Sequence, residues 1–245
     1  PALTQLNSKV LFLGIILVQR KCFRVDLTNC RTPVLHTFYH RYLDDERSAV
    51  FVREVADRYT VSTLERLALH GARITRRAAT LAIGFLGDYS SNAVLGQALR
   101  DSDRGVRMLA ENGIRELWCR DGSDVQRQQI RVVESLNGAR DFLSAESRAT
   151  DLIEEAPRFA EAWNQRAISL FYQERYEESA NDCHQAMELN GFHFGAAVGL
   201  GHCYLELSDA IGALEAFRRA LRINPDMDGI RAQIQYLERS LEGHQ

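Results

Sequence analysis

The feature that most constrains this chain is an internal period of 34 residues in its C-terminal half. A shift of 34 positions aligns residues 185–190 with residues 219–224 as near copies, and it aligns Pro157 with Gly191 and then with Pro225. A fixed period of this length indicates stacked copies of one supersecondary element, because a single copy cannot bury its own apolar face. The sequence therefore predicts an array of repeats rather than one closed core.

The apolar residues within each period favour two helices. They recur at spacings of three and four, which gathers them on one face of a helix. In 160–193 the first stripe is Ala162, Trp163, Ala167, Leu170 and Phe171, and the second is Ala180, Cys183, Ala186 and Met187. Asp228–Glu242 has the pattern of a terminal capping helix. We predict an all-α fold, an α-solenoid of helix-turn-helix repeats, with this array spanning 123–245.

The pattern resembles the tetratricopeptide (TPR) repeat. The segment 194–227 carries the family's residues at Leu200, Gly201, Tyr204, Ala213, Phe217, Ala220 and Pro225. The segment 160–193 departs from the family at Arg166, Ser179 and Cys183, and 126–159 resembles a degenerate third copy.

A different period, of 31 residues, aligns 64–86 with 95–117 within the upstream segment 44–122. The stretch from Asp101 to Leu117 resembles a short HEAT-like repeat. That resemblance implies that an acidic residue before the second helix and an arginine near its start tie neighbouring repeats together. Asp101 or Asp103 and Arg107 occupy those positions, with Arg76 as the arginine of the preceding copy. We also expect one helix over Asp44–Tyr59.

Charge and cysteine content narrow the class of protein. The net charge is −3, with +5 in residues 1–43 and −9 in residues 121–245, so no global basic field indicates nucleic-acid binding. Residues 1–43 match no family, and their apolar run Val10–Val18 is too short to cross a membrane. Five scattered cysteines without a Cys-x-x-Cys pair are typical of a reduced protein, so we expect a cytoplasmic location.

No pattern in the chain indicates catalysis. The glycines of 195–201 lie inside a predicted helix, where a phosphate loop does not form. His36 and His40 share a helix face but lack the further ligands that zinc needs. His184 and His202 each adjoin a cysteine, and adjacent helical residues point in different directions. We predict no enzyme activity, no metal site and no cofactor.

The TPR resemblance implies a concave groove lined by the first helix of each repeat. The implied groove residues are Asn137, Glu161, Asn164, Ile168, Phe171, Val198, His202, Leu205 and Tyr236. The clamp that some family members use for acidic peptide ends needs a basic residue where this chain has Asn164 and Val198, so we do not expect that ligand.

The sequence thus predicts a non-catalytic scaffold that binds a peptide or helix of a partner protein. Two alternatives remain open. The HEAT-like half also resembles repeats of phycobilin lyase proteins, which implies a chromophore or cofactor chaperone. The second alternative is nucleic-acid binding through a stripe of arginines at 73, 76, 77, 104 and 107. The negative charge of the neighbouring residues 121–245 opposes it.

Overall fold

The computed structural model describes residues 33–242 and divides the chain into two compact units, Pro1–Arg58 and Tyr59–Gln245. The predictions for Val10–Val18, Cys22 and Cys30 fall outside the described residues. Within 33–242 the chain is 80% helical, with 13 α-helices and no strands, which confirms the all-α solenoid. No helix in this range is both long and apolar enough to cross a membrane.

The described part of the first unit contains two helices, α1 (Val34–Asp45) and α2 (Ser48–Ala56). Helix α1 begins directly after Pro33, and it ends where Glu46 adopts a left-handed φ of 56°. The prediction of one helix over Asp44–Tyr59 is therefore wrong, because Glu46 ends one helix and a second starts two residues later. Tyr42 and Phe51 pack across this break, with ring centroids 5.3 Å apart.

The second unit contains the other eleven helices. Its upstream part has two helix pairs: α3 (Val61–His70) with α4 (Arg73–Leu86), and α5 (Asn92–Ala98) with α6 (Arg104–Trp118). Three further pairs carry the 34-residue period: α7 (Asp124–Gly138) with α8 (Phe142–Glu155), α9 (Ala160–Tyr172) with α10 (Tyr176–Leu189), and α11 (Phe194–Glu206) with α12 (Ala210–Ile223). We call these pairs the first, second and third repeat, and α13 (Asp228–Glu242) follows them.

Side-chain caps fix several helix starts. Ser123 and Gln126 form a capping box at the start of α7, and Asp209 accepts a hydrogen bond from the backbone N–H of Gly212 at the start of α12. At the start of α3, the Thr60 hydroxyl accepts a hydrogen bond from the backbone N–H of Thr63. These bonds satisfy N–H groups that the first turn of a helix leaves without partners.

Close approach between packed helices depends on small residues, both within a pair and between neighbouring pairs. A Cβ on Gly201 of α11 would overlap the ring of Phe217 of α12, which is completely buried. In the upstream part, a Cβ on Gly113 of α6 would lie 3.0 Å from the Cα of Gly84 of α4.

Paired charges join the upstream helix pairs. Arg76 donates two hydrogen bonds to Asp101, at 2.7 and 2.8 Å, and Arg77 donates two to Asp103, at 2.6 and 2.8 Å. Bidentate pairs of this kind fix orientation as well as distance. The HEAT-like resemblance implied that Arg76 links neighbouring repeats through an acidic residue. In the structure its partner is Asp101, which precedes the second helix of the next pair. Arg107 instead pairs with Asp226, after the third repeat, at 2.8 Å.

The upstream helices contact the loops between the repeats. Asn92 of α5 donates to the Asn190 side chain at 2.9 Å, and a Cβ on Gly96 would overlap the ring of Phe192. The helix pairs on both sides of the predicted boundary at residue 122 therefore belong to one compact unit.

Candidate peptide-binding surface

The first helices of the three repeats form one continuous layer. Helix α9 contacts α7 on one side and α11 on the other. The implied groove residues all lie on these three helices or on α13.

Three apolar groove residues on α9 and α11 are half-buried, namely Ile168, Phe171 and Val198. Phe171 packs against the core of the second and third repeats, and its ring meets the edge of Tyr176 with centroids 5.3 Å apart. Val198 packs against both that core and the core formed by α12 and α13. Their partial exposure leaves apolar surface on adjacent helices.

His202 and Leu205 continue this surface along α11. Both are half-buried, and the His202 ring meets the edge of the Phe217 ring with centroids 5.2 Å apart. Burial lowers the pKa of His202 below 6.5, with Glu206 opposing the effect, so the neutral imidazole is favoured. Tyr236 of α13 is 65% exposed.

Asn137 uses its amide inside the array. Its nitrogen donates to the Gln165 backbone oxygen at 2.9 Å and to the Gln165 side-chain oxygen at 3.0 Å. Its oxygen accepts from the Ser169 hydroxyl at 2.8 Å. Asn137 thus links the first and second repeats.

Glu161 and Asn164 require a correction to the implied groove. They are only 4% and 9% exposed. The carboxylate of Glu161 accepts from the Asn164 amide at 3.0 Å, from the Gln165 amide at 2.7 Å and from His193 at 2.8 Å. Both residues belong to a buried network beneath the surface, and a partner at that surface does not reach them.

Trp118 covers this network from the upstream helices. Its ring stacks on His193 with centroids 4.0 Å apart, and its indole N–H donates to Asn92 at 3.0 Å. His193 is fully buried, and its Nδ1 accepts the backbone N–H of Ala196 as the cap of α11. Sequence reasoning missed Trp118 and His193, because they meet across 75 positions outside any repeat period.

One group of possible metal ligands lies beside this network. Cys119, Glu134 and Glu161 each offer a ligand atom, and the three atoms lie within 4.8 Å of one another. The three described cysteines, Cys119, Cys183 and Cys203, are all buried.

The polar residues that depart from the TPR pattern in the second repeat have hydrogen-bond partners inside the protein. Arg166 donates two hydrogen bonds to Asp182, at 2.7 and 2.9 Å, and it lies over the Trp163 ring. The Ser179 hydroxyl donates to the Ala167 backbone oxygen at 2.8 Å. Polar side chains therefore replace apolar ones here without leaving these groups unpaired.

The helix pairs, their 34-residue period and this layered surface define an α-helical repeat protein. No family model matches the chain. A TPR repeat-containing protein of Rhizobium etli is 30% identical over 160 residues, which cover 62% of this chain and 74% of that protein. The chain belongs to the TPR repeat-containing proteins. This finding supports the TPR resemblance and does not extend to the HEAT-like one, which stays a prediction.

Other similarities are more limited. Human DnaJ homolog subfamily C member 7 is 28% identical over 85 residues, or 35% of this chain and 17% of that protein. The first TPR domain of Spaghetti, bound to an HSP90 peptide, superimposes with a TM-score of 0.44 and 18% identity over 47% of this chain and 94% of its own. The TPR2AB domain of yeast Sti1, in complex with an HSP90 peptide, gives a TM-score of 0.42 and 16% identity over 83% of this chain and 93% of its own.

Proposed function

We propose that the chain is a non-catalytic scaffold, which binds a peptide or helix of a partner protein on the surface of Ile168, Phe171, Val198, His202, Leu205 and Tyr236. The observation that carries the proposal is the row of half-buried apolar side chains on adjacent helices α9 and α11. Apolar residues spaced along neighbouring helices suit a segment that inserts apolar anchors between them.

The chemistry of this surface also limits its ligand. It offers apolar contacts and the polar groups of His202 and Tyr236, and none of its six residues is Lys or Arg. An acidic peptide end would therefore lose its hydration without gaining a charged partner there. We infer a segment with apolar anchors and few charges at the contact.

The two alternatives receive less support. Of the five arginines in the upstream stripe, Arg76, Arg77 and Arg107 are each paired with a carboxylate. These carboxylates offset the positive charge that phosphate groups need. A chromophore chaperone of the lyase type needs a reactive thiol, and the described cysteines are buried.

A random peptide library displayed on phage tests the proposed function. Selection against the full chain should enrich peptides that share an apolar anchor. Enrichment of acidic C-terminal peptides, or no enrichment at all, would contradict the proposed ligand class. Binding to labelled RNA or DNA that weakens steeply with salt would favour the nucleic-acid alternative instead.

A further inference from the structure

Three ligand-bearing side chains converge where the upstream helices join the repeats. Cys119 directly follows α6, Glu134 lies on α7 and Glu161 lies on α9. The Cys119 thiol is 3.1 Å from the Glu134 carboxylate, and the ligand atoms of all three residues lie within 4.8 Å of one another. The site therefore draws on three helices rather than on one local sequence.

The carboxylate of Glu161 is held in place by its surroundings. It accepts hydrogen bonds from Asn164 at 3.0 Å, from Gln165 at 2.7 Å and from His193 at 2.8 Å. His193 accepts at Nδ1 from the backbone N–H of Ala196, which leaves the ring proton on Nε2, where it is donated to Glu161. With Nδ1 as an acceptor and Nε2 as the donor, His193 orients the Glu161 carboxylate as a neutral imidazole.

Glu134 adds a second carboxylate to this confined volume. The Cys119 thiol donates to the Glu134 carboxylate at 3.1 Å. Cys119 and Glu161 are buried and Glu134 is half-buried, so the three ligand-bearing side chains meet in a largely buried volume.

We propose that Cys119, Glu134 and Glu161 together bind a zinc ion, with water as the fourth ligand. Zn²⁺ takes thiolate and carboxylate ligands in tetrahedral sites, where bond lengths of about 2.0–2.3 Å separate neighbouring ligand atoms by about 3.4–3.6 Å. The Cys119–Glu134 pair is already near that spacing, and a ligand atom of Glu161 lies within 4.8 Å of both.

Binding has a defined proton balance. The Cys119 thiol releases its proton to solvent and binds the ion as a thiolate, while Glu134 exchanges the thiol hydrogen bond for the metal. Glu161 binds through a carboxylate oxygen, and its bonds from Gln165 and His193 orient it. His193 is a positioning residue here, because its Nε2 already carries a proton.

The ion would connect α6 to α7 and α9, independently of the surface proposed to bind a partner. Zinc would therefore stabilise the junction of the upstream helices with the repeats. A failed peptide selection would contradict the proposed function but not the metal site. Absence of metal binding would contradict the metal site but not the proposed function.

Metal titration of the full chain, stripped of ions with a chelator, tests the proposal. Co²⁺ serves as a spectroscopic substitute for Zn²⁺, since thiolate-bound Co²⁺ has an intense near-ultraviolet charge-transfer band. The wild-type chain should show this band at one equivalent, and Zn²⁺ should abolish it and raise the melting temperature.

Matched cysteine variants locate the ion. Cys119→Ala should lose the band and weaken Zn²⁺ binding by at least about tenfold, whereas Cys183→Ala, also buried but in the repeat core, should keep both. Glu134→Gln, which preserves the side-chain shape, should weaken Zn²⁺ binding while the chain stays folded by circular dichroism. A wild-type chain without a thiolate band, or a band that Cys119→Ala retains, would overturn the proposal.

Discussion

Arg107 of α6 and Asp226, which follows the third repeat, form an ion pair across 119 positions of sequence, with Nε 2.8 Å from the carboxylate. Both side chains are largely shielded from solvent, and Arg107 also donates to the Asp101 backbone oxygen at 2.9 Å. The pair therefore joins the upstream helices to the far end of the repeat array.

We expect this pair to contribute to stability. Replacing either Arg107 or Asp226 by Ala should lower the free energy of unfolding by about 1 kcal/mol, because each partner is only partly exposed. The double variant should lose less than the sum of the two single losses. Urea denaturation of the wild type, both single variants and the double variant gives the coupling energy. If the two single losses simply add in the double variant, the pair contributes nothing to stability.

The contact between Gly84 and Gly113 should tolerate no side chain. Gly113→Ala places a Cβ 3.0 Å from both the Gly84 Cα and the Leu95 side chain, so we expect a loss of about 1–3 kcal/mol. Gly229→Ala is the matched control, since nothing lies within 4 Å of its added Cβ and alanine favours the helix. Equal effects of the two changes on the urea midpoint would mean that α4 and α6 do not approach closely.

His202 should make stability depend on pH. Its pKa is lowered by burial in the folded chain, so the unfolded chain binds more protons below about pH 6.5. His202 therefore leaves the free energy of unfolding unchanged above about pH 6.5. Below that pH, the free energy of unfolding decreases as the pH falls. His202→Asn should reduce the loss between about pH 7.5 and about pH 5.5 in urea denaturation. An unchanged pH dependence in this variant would contradict the burial of the imidazole.

Replacing Phe171 by Ala should lower the free energy of unfolding less than replacing Phe217 by Ala. Phe217 is completely buried against Gly201, so Phe217→Ala should cost about 3–5 kcal/mol. Phe171 is half-buried, and Phe171→Ala should cost only about 1–2 kcal/mol. Equal losses in thermal unfolding would make Phe171 a core residue rather than part of a binding surface.

Local sequence patterns predicted most of the fold. The bounds of α13 agree with the predicted Asp228–Glu242, because apolar spacing and capping residues act over a single helix. The break at Glu46 was missed, since a left-handed glutamate leaves no compositional signal of the kind that glycine gives.

The surface was less predictable than the helices. A repeat pattern assigns Glu161 to the groove by its position. Its burial depends on His193 and on Trp118, which stacks over that histidine from the upstream helices. The cluster of Cys119, Glu134 and Glu161 escaped notice for the same reason, because its members are separated by 15 and 27 positions and share no motif. Neither repeat period predicts the contacts that the upstream helices make with the 34-residue repeats.

The affinity of a selected peptide for three forms of the chain tests the central claim most directly. Fluorescence anisotropy should give binding to Phe171→Ala about 30-fold weaker than to the wild-type chain, as expected for an aromatic hot spot worth about 2 kcal/mol. Ile211→Ala, which changes an exposed residue on α12 outside the proposed surface, should bind as the wild-type chain does. Undiminished binding to a folded Phe171→Ala chain, or a loss confined to Ile211→Ala, would contradict the account.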